Sequence, residues 1–326
     1  MMPPDILIRQ LEYVVALARE QHFGRAAAAS HASQPALSAA IRKLERELGV
    51  TIVQRGRRFA GFTDEGRRVV AWAHRILAER DGLRNDLDRM RDELTSTLRI
   101  GAIPTAVPPS PLVTTPFRER HPQAGVRIEA LSSTEILRKL EEFEIDVGLT
   151  YLDPHTPEAT AAVPLYREHY LLLTPADGPA AGRPTVRWSD IAALPLCMLD
   201  TSMQNRRILE HAAAAAGTRL TPAVETNTVD GLYAHAAGGA CSSIIAHTWL
   251  HAFGIPEGMT TIPLAEPSPQ PAVGIVIPGR QPNSIAANAL LEVVGGLDVA
   301  GELDRSVAAV TGSVGPWGAV PAPDLR

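Results

Sequence analysis

SQPALSAAIRKLERELGV, residues 33–50, begins with small polar side chains around a proline, turns apolar and basic, and stops at a glycine. That punctuation is a helix's. Ser33 is a good N-cap, Pro35 is tolerated in a first turn because its missing N–H would be unpaired there, and Gly49 is a natural terminator. Leu37, Ile41, Leu44 and Leu48 are spaced four, three and four, so they form one stripe that must pack against something. Gln34, Ser38, Arg42 and Lys43 are left outward. Singly, such residues are ordinary solvent-facing side chains. Together, behind a small-residue first turn, they suit the DNA major groove, where glutamine pairs with adenine and arginine or lysine with guanine or phosphate.

Two helical patterns precede this stretch. In RQLEYVVALARE, residues 9–20, Leu11, Val14, Val15 and Ala18 recur on one helix face, and GRAAAAS follows after His22 and Phe23. The alanines would let another helix approach closely, although alanine propensity alone explains them equally well. Beyond the quoted helix, residues 51–53 and 58–62 read as the short strands of a wing, with Arg55, Arg57 and Arg58 at its tip, placed for phosphates or the minor groove.

Taken whole, FGRAAAASHASQPALSAAIRKLERELGVTIVQR followed by FTDEG resembles the winged helix-turn-helix of the LysR-type transcriptional regulators, over roughly residues 9–68. The resemblance implies that Ser33, Gln34, Pro35 and Ser38 open the recognition helix against DNA, with Arg42 and Lys43 holding the backbone. Family members commonly carry a basic residue after the second serine of this motif, where this chain has Ala39 and Ala40. One expected contact is missing.

From Thr63, a plausible cap followed by Asp64 and Glu65, the chain runs helically to about Leu94. Val69, Ala73, Ile76, Arg80, Leu83, Leu87, Met90 and Leu94 step by four and three alternately, a heptad seam that only Arg80 interrupts. A helix lying on its own domain is the alternative. The favoured reading is a dimerisation helix, which in the resembling family pairs two DNA-binding domains; a tetramer is also implied. Paired readers on a stalk recognise an interrupted dyad of double-stranded DNA.

Charge supports the division. Residues 1–92 hold 16 basic and 12 acidic residues, the remainder 15 and 24, so a basic front end joins an acidic body in a chain of net charge −5. Every basic residue in front but Lys43 is arginine, the side chain best suited to forked contacts. No apolar run approaches the length of a membrane span and no signal region opens the chain, so a cytoplasmic protein without membrane association is expected. Two cysteines, Cys197 and Cys241, are too few and too far apart for a disulfide framework or a metal knuckle, and are expected to pack as small hydrophobes.

After Thr97 short apolar runs alternate with helical stretches. LRIGAI, VRIEAL, DVGLTY, HYLLLT, LPLCML, AVET, CSSIIAH and AVGIVI read as strands, the α/β alternation of a mostly parallel sheet. The same family places here two α/β lobes like those of periplasmic binding proteins. The fold expected is multidomain: a helix-turn-helix domain over residues 1–66, a linker helix over 67–95, and a sensor over 96–295. Lobe I would take 96–167 and 270–295, lobe II 168–269, and residues 296–326, with Trp317, would form a flexible tail adding little to the core.

Ligands of such sheets gather at the carboxyl ends of strands. Four turns qualify: Pro104 and Thr105; Ser132, Ser133 and Thr134; Thr201, Ser202, Met203 and Gln204; Asn227 and Thr228. These residues are also the usual helix caps. Converging on a cleft, they would donate to a small effector such as a carboxylate or other oxyanion, with Arg206 or Arg207 as countercharge. The family's AGxG turn and proline appear here as AGGA and His247, which weakens any guess at an effector subfamily. A peroxide sensor of this family would place a reactive cysteine in the turn after LPLCML; that turn holds Thr201, Ser202 and Met203, so peroxide sensing is not expected. The rival class is a solute-binding or catalytic α/β protein with an incidental helical front end. No GxSxG, HExxH or GxxxxGK[ST] occurs, no histidine spacing suggests a metal, and neither catalysis nor a cofactor is expected.

Overall fold

The computed structural model of the chain describes residues 6–54, 59–89, 94–152, 160–278 and 283–311. Its contacts part into two compact units, one of the residues up to Thr95 with Glu141–Glu144, the other of Ser96–Leu140 and the residues from Ile145 on.

The first unit is helical, with α1 (Ile8–Glu20), α2 (Phe23–Ala29), α3 (Gln34–Leu48) and α4 (Asp64–Arg89). Leu11, Val14 and Leu17 meet Ala26, Ala27, Leu37, Ile41 and Leu44 in one core. The stripe read from spacing is therefore the packed side of α3. Ser33 Oγ accepts the Ala36 N–H at 3.3 Å, and Gly49 ends the helix at φ +69°. Glu45 Oε1 accepts the N–H groups of Ile52 and Val53 at 2.8 and 3.1 Å, tying α3 to the wing. There Val53 and Phe62 form an antiparallel bridge. Arg55, Arg57 and Arg58 lie outside the described residues. Thr63 caps α4 by accepting the Gly66 N–H at 2.8 Å, and a Cβ at Gly66 would collide with the Ile52 carbonyl.

The seam expected on α4 is split between two faces. Ala73 is buried in the core of the trio, Val69 and Leu77 pack against that core, and Arg80 pairs with Glu12 of α1. The outward apolar side chains are Trp72, Ile76 and Leu83, 61%, 38% and 64% exposed. A three-and-four spacing cannot choose between adjacent faces when both carry apolar residues. The Leu87 side chain and Met90 lie outside the described residues.

The second unit opens with β1 (Thr97–Ala102), a 3-10 turn (Pro104–Ala106), α5 (Pro111–Arg120), β2 (Gly125–Ala130), α6 (Ser133–Glu141), β3 (Val147–Tyr151) and β4 (Thr160–Arg167). Then come β5 (Tyr170–Pro175), α7 (Trp188–Ala192), β6 (Cys197–Leu199), α8 (Gln204–Ala215), β7 (Val224–Thr226), α9 (Val229–Ala237), β8 (Ser243–Ala246), α10 (His247–Phe253) and β9 (Met259–Pro263). The chain closes through β10 (Ala272–Pro278), α11 (Ile285–Val294) and α12 (Val299–Thr311).

Lobe I holds a sheet in the order β2-β1-β3-β10-β4, and lobe II holds β8-β5-β9 with a separate β6-β7 pair. β1 is parallel to β2 and β3, as the alternation predicts. The expected mostly parallel sheet is nevertheless mixed: β10 runs against β3 and β4, and β5 against β8 and β9. Strands β4, β5 and β10 carry the chain into or out of a lobe, so they escape the right-handed crossover that makes neighbours parallel.

The tail also departs from expectation. Residues 299–311 form α12, which packs on α10 and β4; Val299 and Leu303 are buried, and Val307 joins the core of lobe II. Three apolar residues at four-residue spacing are enough to anchor it, although glycines and alanines between them dilute the pattern. Trp317 lies outside the described residues.

Candidate functional site

Two candidate sites emerge, one in each unit. Of the residues expected to meet DNA, Gln34, Pro35, Arg42 and Lys43 are exposed on α3 and Ser38 is half-buried; Ala36, Ala39 and Arg46 of the same helix are exposed too. Ser33 spends its hydroxyl on the cap, and Lys43 Nζ lies 3.4 Å from Glu47 of the same helix. The first turn, Arg42 and Arg46 are exposed to a partner, and Lys43 keeps an exposed ammonium beside Glu47.

In the second unit, strand ends converge between the lobes. Small residues allow this: a Cβ at Gly148 on β3 would collide with Ile136, so α6 lies close over the sheet and carries its first turn to the cleft. A cavity of about 740 Å³ is walled by Ser133, Thr134, Leu137, Thr150 and Tyr151 of lobe I. From lobe II come Gln204, Arg207, Ile208, His211, Ala212 and Ala215, with Glu266, Pro267, Ser268 and Pro269 on the returning segment. Ser133, Tyr151 and Gln204 also line an inner space of only about 10 Å³, completed by Ile103, Pro104, Thr105, Ser132, Leu199, Met203 and Asn205.

The four expected turns therefore separate. Pro104, Thr105, Ser132, Ser133, Thr134, Met203 and Gln204 line one or both spaces. Ser132 is also a cap: its Oγ donates to Glu135 Oε2 at 2.7 Å, which helps hold that carboxyl below its usual range. Ser202 closes on Asp200 through its N–H and its hydroxyl, and the carbonyls of Thr201 and Ser202 accept from Arg207. Thr228 accepts the Gly231 N–H at 3.2 Å as the cap of α9, beside exposed Asn227; neither lines either space. Of the two arginines, Arg206 is buried and occupied by Glu210, Glu225 and the Leu199 carbonyl at 2.7–2.9 Å. Arg207 is the one that faces the cavity.

Sequence reasoning missed Glu168. It sits on the crossover from β4 to β5 and is 0% exposed. Its Oε2 accepts the phenol hydrogens of Tyr151 and Tyr170 at 2.8 and 2.7 Å. Asn205 Nδ2 lies 3.4 and 3.2 Å from those two phenol oxygens, and Thr105 Oγ1 lies 3.3 Å from that of Tyr151. Burial raises the Glu168 carboxyl, against the opposing effect of these bonds, and raises the tyrosines well above their usual value. An acid inside LYREHYLLL, flanked by tyrosines and apolar residues, was the available signal. Beside it, His247 Nδ1 accepts the His169 N–H at 3.0 Å, and burial holds the two imidazoles down at about 3 and about 4.

Cys197 and Cys241 are both buried in the core of lobe II, where burial pushes the Cys197 thiol up to about 11. Among the described residues no helix is long and apolar enough to cross a membrane.

Known proteins align with both units. The family model of the bacterial regulatory helix-turn-helix protein, lysR family, matches residues 8–67, and that of the LysR substrate binding domain matches residues 91–297. The DNA-binding transcriptional dual regulator OxyR of Escherichia coli K12 is 31% identical over 275 residues, 82% of this chain and 88% of the relative. A probable hydrogen peroxide-inducible genes activator of Streptomyces viridosporus is 30% identical over 268 residues, 80% and 85% of the two chains. Among solved structures, full-length OxyR of Pseudomonas aeruginosa in a cysteine-to-aspartate form superposes with a TM-score of 0.72 at 28% identity, over 90% of this chain and 96% of that one. CbnR, a LysR family transcriptional regulator, gives 0.64 at 20% identity over 93% and 99%, a likeness of fold. With both models matched in order along most of its length, the chain belongs to the LysR family of DNA-binding transcriptional regulators, a helix-turn-helix domain followed by an effector-binding domain.

Proposed function

We propose that the protein acts in the cytoplasm by setting paired α3 helices on an interrupted dyad, and by altering that contact when a small carboxylate or other oxyanion enters the cleft. The observation that carries this reading is the cavity of about 740 Å³ walled by both lobes. A ligand there touches each lobe, so its affinity depends on how the lobes stand and its binding shifts their equilibrium. Arg207 supplies the countercharge, with His211 and the hydroxyls of Ser133 and Thr134 as donors. The effector is a reversible ligand, and no cofactor is required.

Pairing is supported by Trp72, Ile76 and Leu83, an outward apolar stripe on α4 of the kind that a second copy covers. Tetramers formed from such dimers extend the same reading. The Streptomyces viridosporus relative is named for hydrogen peroxide, but the thiolate is the reactive form of cysteine and burial suppresses it here. Response through thiol oxidation is therefore not part of the proposal.

Footprinting on the DNA upstream of the protein's own gene, with and without millimolar carboxylates, is the test. Two protected half-sites about one or more helical turns apart are expected, with a ligand-dependent change between them. Absence of protection at low and moderate salt refutes the reading.

A further inference from the structure

We propose that Glu168 is an uncharged acid that latches the two lobes together, and that parting the lobes frees it to ionise, so that opening of the cleft releases a proton. The proposal rests on the cleft reading above in one respect, that the lobes move.

Glu168 lies on the crossover between β4 and β5 with none of its surface exposed. The groups that hold it come from both lobes. Tyr151 of β3 and Tyr170 of β5 donate to its Oε2 at 2.8 and 2.7 Å, Thr105 bonds it from the turn after β1, and Asn205 of α8 reaches both phenol oxygens. All four are uncharged. The other titratable neighbours are Tyr166 of β4, whose hydroxyl is buried without a hydrogen-bond partner, and His169, whose ring meets that of His247 at the start of α10 edge-on at 5.0 Å. Burial keeps both imidazoles neutral. Arg167 turns away to the Gln270 carbonyl, and no lysine or arginine among the described residues pairs with Glu168.

A carboxylate sealed from water without a cation gives up its hydration for hydroxyl bonds alone. Those bonds favour the charged form, and burial outweighs them. Glu168 Oε1 has no hydrogen-bond partner, and stranding a neutral oxygen costs less than stranding a charged one. The joined lobes therefore select the neutral acid. When they part, Tyr151 and Thr105 leave with lobe I, Tyr170 and Asn205 with lobe II, and water reaches a carboxyl whose ordinary value is about 4.3. At neutral pH it then loses its proton. Closing takes that proton back, so the joined arrangement gains as the pH falls and opening gains as it rises. The histidines act the other way, because on exposure they take up protons, and do so only below about pH 6.5. The three tyrosines, raised by burial, stay protonated throughout.

The test measures the width of the cleft. Spin labels on Thr134→Cys and His211→Cys stand on opposite walls at exposed positions, whereas Cys197 and Cys241 are buried. Labelled full-length protein is diluted into unlabelled protein, so that one protomer of each assembly carries the pair. The ratio of long to short distances is followed from about pH 5.5 to about 8.5, with and without Glu168→Gln, which keeps an oxygen for the phenols and cannot ionise. Dividing the ratio of the parent by that of the variant cancels the histidines. The quotient should rise with pH by up to about tenfold per unit, the mark of one proton released. A flat quotient overturns the latch and leaves the cleft reading standing; one unchanging distance in both proteins overturns the latch and the lobe motion that the cleft reading needs. If Glu168→Gln does not fold, infrared spectra of the parent carrying carboxyl-labelled glutamate decide. A protonated carboxyl that moves with the label is expected at about pH 7, where glutamates in water are ionised, and its absence overturns the latch.

Discussion

Leu303→Ala tests whether the C-terminal helix belongs to the sensor. Leu303 is wholly buried on α12, between Val299 and Val307, on a helix that packs against α10 and β4. Truncating a buried leucine removes its transfer free energy and leaves a cavity, at a cost of about 2–5 kcal/mol depending on how far the site collapses. α12 closes the described chain and can settle inward, which favours the lower part of that range, about 2–3 kcal/mol. For a unit of roughly 200 residues, 1 kcal/mol shifts Tm by about 2–4 °C, so a drop of about 4–12 °C is expected. Thermal unfolding followed by the emission of Trp188 and Trp249, both buried in the core of lobe II, reads the sensor itself. Val310→Ala on the exposed side of α12 is the control and should stay within about 0.5 kcal/mol. If Leu303→Ala melts within about 1 °C of the parent, α12 is not part of the core and the packing argument fails.

Replacing Gln34 and Arg42 together by alanine should weaken promoter binding at least about tenfold, since one bidentate base contact is worth about 1–3 kcal/mol; undiminished occupancy in a mobility-shift titration contradicts the orientation of α3. His169 and His247, held down at about 4 and about 3 by burial, stay neutral in the native state while the unfolded chain takes up protons below pH 6.5. Stability present above pH 6.5 should therefore fall as the pH drops toward those values, by about 2 kcal/mol per group between pH 6.5 and 5. Glu168, whose carboxyl burial raises, works in the opposite sense. His247→Asn keeps an acceptor for the His169 N–H and should remove about half the slope in urea melts; an unaltered slope rejects the assignment. With its thiol near 11, Cys197 is thiolate in fewer than about one molecule in a thousand at pH 7.5. Mass spectrometry after brief micromolar peroxide should find Cys197 and Cys241 reduced, and rapid disulfide formation would show otherwise.

Much of the first unit was legible because its signals are local. The Ser33 cap, the Gly49 stop and the Leu37, Ile41, Leu44 stripe each depend on residues within a few turns, and each appears where spacing puts it. The face of α4 was not legible, because Ala73 and Trp72 are neighbours and only the trio decides which is covered. α10 went unread for a different reason: HTWLHAF spans only seven residues, too few for a helical repeat to stand out from the apolar strand before it. In the second unit strand positions followed from apolar runs, whereas strand directions depended on which segments cross between lobes.

The hydroxyl-rich turns mark the point at which local reading ends. A serine or threonine after a strand caps a helix or meets a ligand, and the letters are the same. The structure separates them by what lies opposite: Thr228 finds only its own helix, while Thr105 finds Tyr151 and, through it, Glu168. Thr105 and Tyr151 belong to lobe I, Tyr170 and Asn205 to lobe II, and Glu168 sits on the crossover between β4 and β5. These bonds therefore join one lobe to the other. A net contribution near 1 kcal/mol for each of two or three such bonds already reaches the 1–3 kcal/mol by which allosteric sites are typically coupled.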